Sequence, residues 1–362
     1  MKKIYPLAMV MAVGLTVVGC QAAEPAPAPG TDGPVTAEDL IAQGLIDEDG
    51  VLAEPATITL AAASRSAFAL PLFLSVGHEA MAKRNLTVQV EILPSTESYP
   101  LMAVGRMDGN FSAPDVGLFN AIQGGSEIAI VAPQQRVLPE SNDGLWCRTD
   151  VVDADGTFDW QQLRGQSIGS SQANRGTSML GLVTELERQG IDVHDVEIEQ
   201  MGVADQVAAL QNGALMCSFI QEPMHVPVLQ GNIAVKVFDP NTPGFPPGTV
   251  AFGQSILKDR PEVGMAYIAG LAEVYEDLQG NYLADATFRA ELSRLLEQPE
   301  TYLEQMTPGS YELPLAFPSN YVEAFQKAWR NWDDLLQYEV DLTQDQVIDP
   351  RFMAFANSVS GK

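Results

Sequence analysis

The sequence predicts an α/β protein whose body divides into two lobes and ends in a group of helices. Three observations indicate this class. From Thr57 onward, apolar β-rich runs alternate with helical patterns, an order typical of parallel sheets covered by helices on both faces. The body of roughly 300 residues exceeds the size of one ordinary domain. Beyond Pro261, only helical periodicity remains.

The first nineteen residues have the three parts of a secretory signal. Lys2 and Lys3 form a short basic region, and residues 4–18 are almost entirely apolar. This run is too short to span a bilayer as a permanent helix. It ends in V-V-G-C at Cys20, which resembles the lipobox of bacterial lipoproteins. We therefore expect export and lipidation of Cys20; a plain signal peptide followed by a chance cysteine is the alternative.

Residues 20–56 are expected to form the lipidated cysteine, a linker and a leader that precedes the fold. The stretch A-E-P-A-P-A-P at 23–29 cannot build a core and has some extended stiffness. Residues 30–56 are mostly polar, with one short helical pattern near 36–43. No later stretch approaches eighteen uninterrupted apolar residues, so contact with the membrane is expected through the lipid alone.

The charge of the chain excludes some partners. The sequence has 47 acidic and 20 basic residues, a net charge of −27, and removal of residues 1–19 would take two lysines away. Binding to nucleic acid or to anionic lipid headgroups requires basic patches. We therefore expect no nucleic-acid partner. The acidity does not identify the ligand, because it also serves solubility.

Local periodicity predicts the elements of the body in order. The predicted strands cover 57–62, 86–93, 128–133, 145–148, 166–170, 196–201 and 215–221. The predicted helices cover 70–84, 99–106, 177–189 and 203–212. In the C-terminal region, one helix is marked by residues 263–274. Another is marked by an aromatic stripe over 322–336, which predicts core packing rather than a ligand site.

Two cysteines remain after Cys20. An even pair in an exported chain permits a disulfide between Cys147 and Cys217, and two buried thiols are the alternative.

Three stretches, read together, resemble the nitrate/sulfonate/taurine branch of periplasmic solute-binding proteins. Residues 69–90 contain A-L-P-L-F-L-S and N-L-T-V-Q-V, and residues 101–125 contain G-R-M-D-G and L-F-N-A-I-Q-G-G. Residues 143–223 contain D-G-L-W-C-R-T-D, L-R-G-Q-S-I-G-S-S, G-T-S, Q-M-G-V-A-D-Q-V-A-A-L-Q-N-G-A and Q-E-P. The resemblance covers roughly residues 57–275, and the order and spacing of the motifs are more specific than any one of them.

The resemblance implies the type II periplasmic binding protein fold, in which two α/β lobes close by hinge motion around a ligand. Lobe one would comprise residues 57–136 plus 250–362, and lobe two residues 137–249. The resemblance also implies that the strands holding Cys147 and Cys217 are antiparallel neighbours, an arrangement that would permit a cross-strand disulfide.

Ligands of open α/β sheets bind beyond the carboxyl ends of the strands, so the loops after the strands are the candidate site. The loop after strand 57–62 contributes Ser64, Arg65, Ser66 and Phe68. The Arg65 guanidinium suits a carboxylate, sulfonate or phosphate, although a solvent-facing arginine beside helix-capping serines is equally compatible. A second loop contributes Ser112 and Ala113, where the resemblance implies a small hydroxyl residue and a turn against the ligand.

The loop that opens helix 177–189 is the predicted anion site, with the candidate residues Ser171, Asn174, Gly176, Thr177 and Ser178. Free backbone N–H groups and the helix dipole favour an anion at such a terminus. Simple helix capping is the alternative. Glu222, at the end of strand 215–221, could accept a hydrogen bond from a ligand, or act in a hinge, or pair with Arg65 or Arg175.

The sequence contains no convincing catalytic set. The letters G-Q-S-I-G at 165–169 match a nucleophile elbow, yet Ser167 lies at the start of a strand instead of at a strand-to-helix turn. His78, His194 and His225 are scattered and have no zinc-binding spacing, and no Walker A sequence is present. We therefore expect no enzymatic activity, no cofactor and no metal.

The resemblance implies a monomeric lipoprotein that captures a small molecule by lobe closure and delivers it to an ABC permease and its ATPase. A small organic anion such as an alkanesulfonate is the leading ligand. A neutral heterocycle, either a pyrimidine vitamin precursor or a flavin, is the alternative within the family. An exported α/β hydrolase is the rival of a different class, and a lipoprotein of the same fold that signals without transport is a third.

Overall fold

The computed structural model describes residues 34–172, 175–242, 244–332 and 335–360, and the described residues from Thr36 onward form one compact unit. Cys20 and Asn174 lie outside the described residues. The strands are β1 (Ala56–Ala62), β2 (Leu86–Ile92), β3 (Gly109–Ser112), β4 (Ile128–Pro133), β5 (Gly144–Arg148), β6 (Gln166–Ser170), β7 (Val196–Gln200), β8 (Cys217–Ile220), β9 (Ala234–Phe238) and β10 (Thr249–Gly253). The α-helices are α1 (Ala37–Ala42), α2 (Leu70–Ser75), α3 (Glu79–Ala82), α4 (Ser95–Ala103), α5 (Val116–Gln123), α6 (Ser178–Arg188), α7 (Val203–Asn212), α8 (His225–Gln230), α9 (Pro261–Asp277), α10 (Ala286–Leu296), α11 (Glu300–Leu303), α12 (Tyr321–Trp329), α13 (Gln344–Val347) and α14 (Arg351–Ser360).

The strands form two five-stranded sheets, each the centre of one lobe. The sheet of lobe one has the order β2-β1-β3-β10-β4, and that of lobe two has the order β7-β6-β8-β5-β9. The pairs that involve β10 or β5 are antiparallel, and the other pairs are parallel. The chain enters each of these two reversed strands directly after it crosses between the lobes. We call the two crossing segments the first crossover (residues 134–143) and the second crossover (residues 239–248). The predicted α/β fold with two lobes is confirmed, with mixed sheets instead of purely parallel ones.

Cys147 and Cys217 face each other in the register of β5 and β8, and a disulfide joins them. This is the pairing that the resemblance implied. Both residues are fully buried in the apolar core of lobe two. The bond therefore connects the first strand that the chain forms in lobe two with the strand that leads back toward the cleft.

The leader departs from the expectation of a segment that precedes the fold, because from Thr36 onward it packs on lobe one. Thr36 and Asp39 form a capping box at the start of α1. Leu40, Ile46 and Leu52 are buried. The apolar residues of this short segment therefore bury themselves in the body, although its overall composition is polar.

The C-terminal helices contact both lobes. Helix α9 is buried along most of its length and packs against α14 in lobe one. On α12, the Trp329 ring lies 5.1 Å from that of Phe119 in α5, while the helix also packs against α6 of lobe two. The helix ends at Trp329, and Trp332 enters the core of lobe two. Residues 321–332 thus join the lobes, whereas the predicted boundaries assign all of 250–362 to lobe one.

One predicted helix is divided. The prediction of a continuous helix over 70–84 is wrong, because α2 ends at Ser75 and α3 begins at Glu79. Gly77 adopts φ +78°, a left-handed conformation that ends a helix. His78 then caps α3, its Nδ1 accepting from the Ala80 N–H at 3.1 Å. No helix in the described ranges is long and apolar enough to cross a membrane.

Candidate functional site

A cavity of about 300 Å³ lies between the two lobes. Its lining comes from the loops that follow the carboxyl ends of parallel strands in both sheets, the position expected for ligands of α/β proteins. The volume is at the lower end of the range of small-molecule sites. The predicted residues that line it are Ser64, Ser66, Phe68, Ser112, Ala113, Ser171, Thr177 and Ser178.

The apolar part of the lining is mostly aromatic. Phe68 and Phe111 line the cavity from lobe one, and Phe219 and Ile220 line it from the end of β8. Trp146 is buried away from the cavity and donates its Nε1–H to Asn142 O at 2.9 Å. Phe219 was not predicted, since an aromatic residue in a buried strand has no feature in the sequence that separates a cleft wall from core.

The N-terminus of α6 opens on the cavity. The helix begins at Ser178, and the Thr177 side chain makes no capping hydrogen bond within the described residues. The hydroxyls of Thr177 and Ser178 therefore remain available. The N–H groups of Met179 and Leu180 in the first turn already donate to Gly176 O and Thr177 O, at 3.3 and 3.1 Å. Further along the helix, Gly181 packs directly on the backbone of Pro240 in the second crossover, with no room for a Cβ. This contact fixes the position of the N-terminus of α6 relative to the second crossover.

Arg175 is the cationic residue in the cavity lining among the residues that the structure describes. It is exposed, and no carboxylate of the described residues lies within ion-pair distance of its guanidinium. From the sequence, Arg175 was expected only as one of two arginines that could pair with Glu222. Its position beside the α6 N-terminus instead makes it the cation that an anionic ligand would meet first.

Arg65, by contrast, is directed away from the cavity. Its Nη1 donates to Leu295 O at 2.9 Å, and its Nε lies 3.1 Å from Glu297 Oε1. Its guanidinium also lies over the Phe73 ring, 5.1 Å from the centroid. Leu295 is in the last turn of α10, where backbone carbonyls lack helical partners and a basic side chain is stabilising. The predicted role as a ligand contact therefore does not agree with this position.

Glu222 occupies the hinge and does not line the main cavity. Its Oε1 accepts from Ser141 Oγ at 3.2 Å and from the Asn142 N–H at 2.6 Å. Its Oε2 accepts from the Thr307 N–H at 2.6 Å. Both oxygens are thus occupied within the protein, which agrees with the hinge alternative. Gly176 also does not line the cavity, because it is buried beneath the Gln172 side chain.

Two carboxyl groups that were not predicted line the cavity. Asp115 caps α5, accepting from the Leu118 N–H at 3.0 Å and from Ser95 Oγ at 2.7 Å. Burial raises the pKa of Asp115, while these hydrogen bonds and the charge of Arg175 oppose the rise. The sequence signal for Asp115 was its position before a helical run, which also fits an ordinary N-cap.

Asp143 is the second carboxyl group, at the end of the first crossover. It is half-buried, and its Oδ1 accepts from the Glu222 N–H at 2.6 Å. Burial raises the pKa of Asp143 to about 7, and the charges of Glu222 and Asp239 add to the rise; the Glu222 N–H and the charge of Lys236 oppose it. Asp143 also lines a second, adjoining cavity of about 40 Å³.

The described residues bring no catalytic set together. Ser167 lies within β6 and its Oγ is 3.4 Å from Glu197 Oε2, so it occupies no nucleophile elbow. His78 and His194 contact the exposed carboxylates of Asp277 and Asp192. His225 is buried beside Trp146, and this burial lowers its pKa. Among the described residues, no cluster of histidine, cysteine and acidic side chains could hold a metal ion.

No family model and no curated relative matches this sequence. Solved structures do share its fold. An alkanesulfonate-binding protein from Xanthomonas axonopodis pv. citri, bound to MOPS, is 16% identical, with a TM-score of 0.63 over 82% of this chain and 99% of that chain. The periplasmic nitrate-binding protein from Synechocystis PCC 6803 is 14% identical, with a TM-score of 0.63 over 83% of this chain and 88% of that chain. The desulfurization enzyme DSZB is 13% identical, with a TM-score of 0.56 over 84% of this chain and 99% of that chain.

These similarities confirm the fold of periplasmic binding proteins. The structures that share it include sulfonate- and nitrate-binding proteins, the group that the sequence motifs resemble. At these identities the comparison concerns the fold alone. Because one of the similar structures is an enzyme, the fold by itself does not separate binding from catalysis.

Proposed function

We propose that this protein is the solute-binding component of an ABC importer, and that it captures a small organic anion between its two lobes. The observation that carries the proposal is the N-terminus of α6, where the guanidinium of Arg175 and the hydroxyls of Thr177 and Ser178, all without a partner among the described residues, line one cavity. Export and lipidation at Cys20 remain part of the proposal. The basic and apolar segments before Cys20 support them.

The polar end of the cavity suits an anion. The N-terminus of α6 presents two hydroxyls and the positive end of the helix dipole, and Arg175 adds a planar set of donors. The opposing charge of Asp115 is already hydrogen-bonded to Ser95 and to the helix that it caps. The anionic group is therefore expected on the lobe-two side of the cavity.

The apolar part of the cavity suits an organic group. A bare inorganic anion such as nitrate would leave most of the roughly 300 Å³ empty and Phe68, Phe111 and Phe219 without a contact. An alkyl or aryl sulfonate or carboxylate fills both parts. Binding would proceed by closure of the lobes about the two crossovers, with the ligand excluded from solvent, followed by transfer to a permease.

A thermal-shift screen of the purified full chain tests this function. Alkane- and arylsulfonates and the corresponding carboxylates should raise the melting temperature, because a ligand that binds only the folded state stabilises it. Arg175→Ala should weaken their binding by about tenfold or more, the loss typical of one charge-assisted hydrogen-bonding group. Arg65→Ala, the matched control outside the cavity, should leave affinity unchanged. A large shift with a pyrimidine or a flavin and none with any anion would overturn the anion proposal.

The hydrolase alternative requires a separate experiment. We infer that the ligand is bound without being converted, since among the described residues no serine hydroxyl is hydrogen-bonded to a histidine. The hydroxyls of Ser95 and Ser167 donate to carboxylates instead, and His78 and His194 contact exposed carboxylates. Nuclear magnetic resonance spectra of the ligand should be unchanged after prolonged incubation with the protein. Ser167→Ala should bind the ligand as the native chain does. Conversion of the ligand that disappears in Ser167→Ala would establish the hydrolase instead.

A further inference from the structure

We propose that Asp143 is a second ligand-contacting residue, and that the ligand carries a hydrogen-bond donor in addition to its anionic group. This inference rests on the proposed function, because it names the class of molecule that the same cavity accepts. The proposed ligand is dipolar: its anionic group lies at the mouth of α6, and its donor lies at the hinge end of the first crossover.

One oxygen of the Asp143 carboxyl group is hydrogen-bonded within the protein, and the other is available to a ligand. Oδ1 accepts from the Glu222 N–H at 2.6 Å, and the N–H of Asp143 itself donates to Ser141 Oγ at 3.1 Å. Within the described part of the chain, no hydrogen bond reaches Oδ2. The side chain lines both the main cavity and the small cavity next to it. The structure therefore contains an oriented acceptor without a protein partner at the ligand cavity.

The charged groups around Asp143 do not neutralise it. Glu222 follows β8 and its own oxygens are satisfied by other groups. The Lys236 ammonium on β9 donates to Ser141 O at 2.6 Å and lies 3.7 Å from Asp239. Lys236 is thus engaged elsewhere, and two of the three charged neighbours are acidic. A carboxylate in this position is partly withdrawn from solvent and has no direct cationic partner among the described residues, which agrees with its pKa of about 7.

A ligand donor would supply the missing partner. A half-buried carboxylate that loses water on lobe closure is stabilised only if the ligand returns a hydrogen bond. A ligand of the same size without a donor leaves the acceptor unsatisfied and is rejected for that reason. Arg175 selects the anion and Asp143 selects the donor, so each end of the cavity has its own requirement.

Two probes of matched shape separate these requirements. Sulfanilate and para-toluenesulfonate share the aryl sulfonate and differ by an amino group in place of a methyl group. Isothermal titration calorimetry with the full chain should show sulfanilate binding about tenfold or more tightly. Asp143→Asn keeps an oxygen for the Glu222 N–H but replaces the free acceptor by a donor. This variant should abolish the preference, so that the two probes bind it with affinities within about twofold of each other.

Asp239→Asn is the matched control, since it removes a neighbouring negative charge and keeps a side-chain oxygen that can accept from Asn241, the lining residue that Asp239 holds. It should change either affinity by no more than about twofold, because at most half of the Asp143 carboxyl groups are protonated near neutral pH. Asp239→Asn could instead lose the preference for sulfanilate as completely as Asp143→Asn does. The preference would then depend on the overall charge and not on a contact with Asp143, and the inference would be overturned.

The native chain provides a test that needs no variant. The donor binds the ionised carboxylate, so the affinity for sulfanilate should fall about tenfold between about pH 8 and about pH 6, whereas that for toluenesulfonate should not fall. The aryl amine remains uncharged over this range. Equal affinity of the two probes and parallel pH profiles would overturn the inference while leaving anion capture intact. Binding of neither probe, with no shift from any other anion, would overturn the proposed function itself.

Discussion

The carboxylate of Glu222 and the backbone N–H of Thr307 lie 2.6 Å apart, joining the end of β8 to the C-terminal region of the chain. The other oxygen of the same carboxylate holds the first crossover through Ser141 and Asn142. One buried side chain therefore connects three segments that are distant in sequence, at the place where the lobes meet. The relationship explains why Glu222 belongs to the hinge, not to the ligand.

Replacement of Glu222 should destabilise the protein strongly. Glu222→Ala leaves the N–H groups of Asn142 and Thr307 without their acceptor, and we expect the free energy of unfolding to fall by about 3 kcal/mol. Urea denaturation followed by circular dichroism measures this change. Glu297→Ala, which removes an exposed carboxylate, should have no measurable effect. Equal changes in the two variants would contradict the role assigned to the Glu222 hydrogen bonds.

The Cys147–Cys217 bond should contribute substantially to stability. It closes a loop with a sequence separation of 70, for which the chain-entropy relation gives about 4 kcal/mol. Reduction, or replacement of both cysteines by alanine, should lower the denaturation midpoint accordingly. The double variant should then be insensitive to reductant. Two free thiols in the non-reduced native protein, detected by mass spectrometry, would show that the bond does not form.

Gly181 should position the anion site. Alanine has the higher helix propensity, by about 1 kcal/mol. At this position, however, a Cβ would collide with the Pro240 backbone, which cannot move without displacing the second crossover. We therefore expect Gly181→Ala to weaken sulfonate binding about tenfold or more and to lower the melting temperature. Thr184→Ala, on the exposed face of the same helix, is the control and should do neither.

The titration of Asp143 should appear in the stability of the ligand-free protein. Its pKa rises from 3.8 to about 7 on folding, so the folded state binds more protons between these values. The contribution of Asp143 to the free energy of unfolding therefore falls as pH rises through this window. Asp143→Asn lacks this penalty, and its stability relative to the native chain should increase by about 2 kcal/mol between about pH 5 and about pH 8. Urea denaturation at the two pH values measures it; a constant difference would mean that the carboxyl pKa is unperturbed.

Local sequence patterns predicted the elements that depend little on contacts with distant parts of the chain. The strands β4 and β6 and the helix α7 have the predicted bounds, because continuous apolar runs and helical spacing depend on few distant contacts. Short strands such as β3, and β10, the reversed strand of lobe one, were not predicted. Their four or five residues acquire a strand conformation only by pairing with segments far away in the chain.

The loops that reach the cavity could be predicted from the order of strands alone, since the carboxyl ends of parallel strands share one edge of a sheet. Ser64, Ser66, Ser171, Thr177 and Ser178 were found in this way, whereas Ser112 came from the family resemblance. The direction in which an individual side chain points could not be predicted from the order of strands. Arg65 and Arg175 both lie in such loops, and only the position of α10, which offers Leu295 and Glu297 to Arg65, turns that arginine away from the cavity.

The sequence by itself thus determined the α/β class, the export-like N-terminus and the loops that meet at the cleft, because these depend on composition and local periodicity. The tertiary structure decided which charged groups remain free. Arg65 and Glu222 are satisfied by partners far away in the sequence, whereas Arg175 and one oxygen of Asp143 have none among the described residues. Hydrogen-bond and ion-pair partners are chosen in space, so no local pattern could have made that distinction.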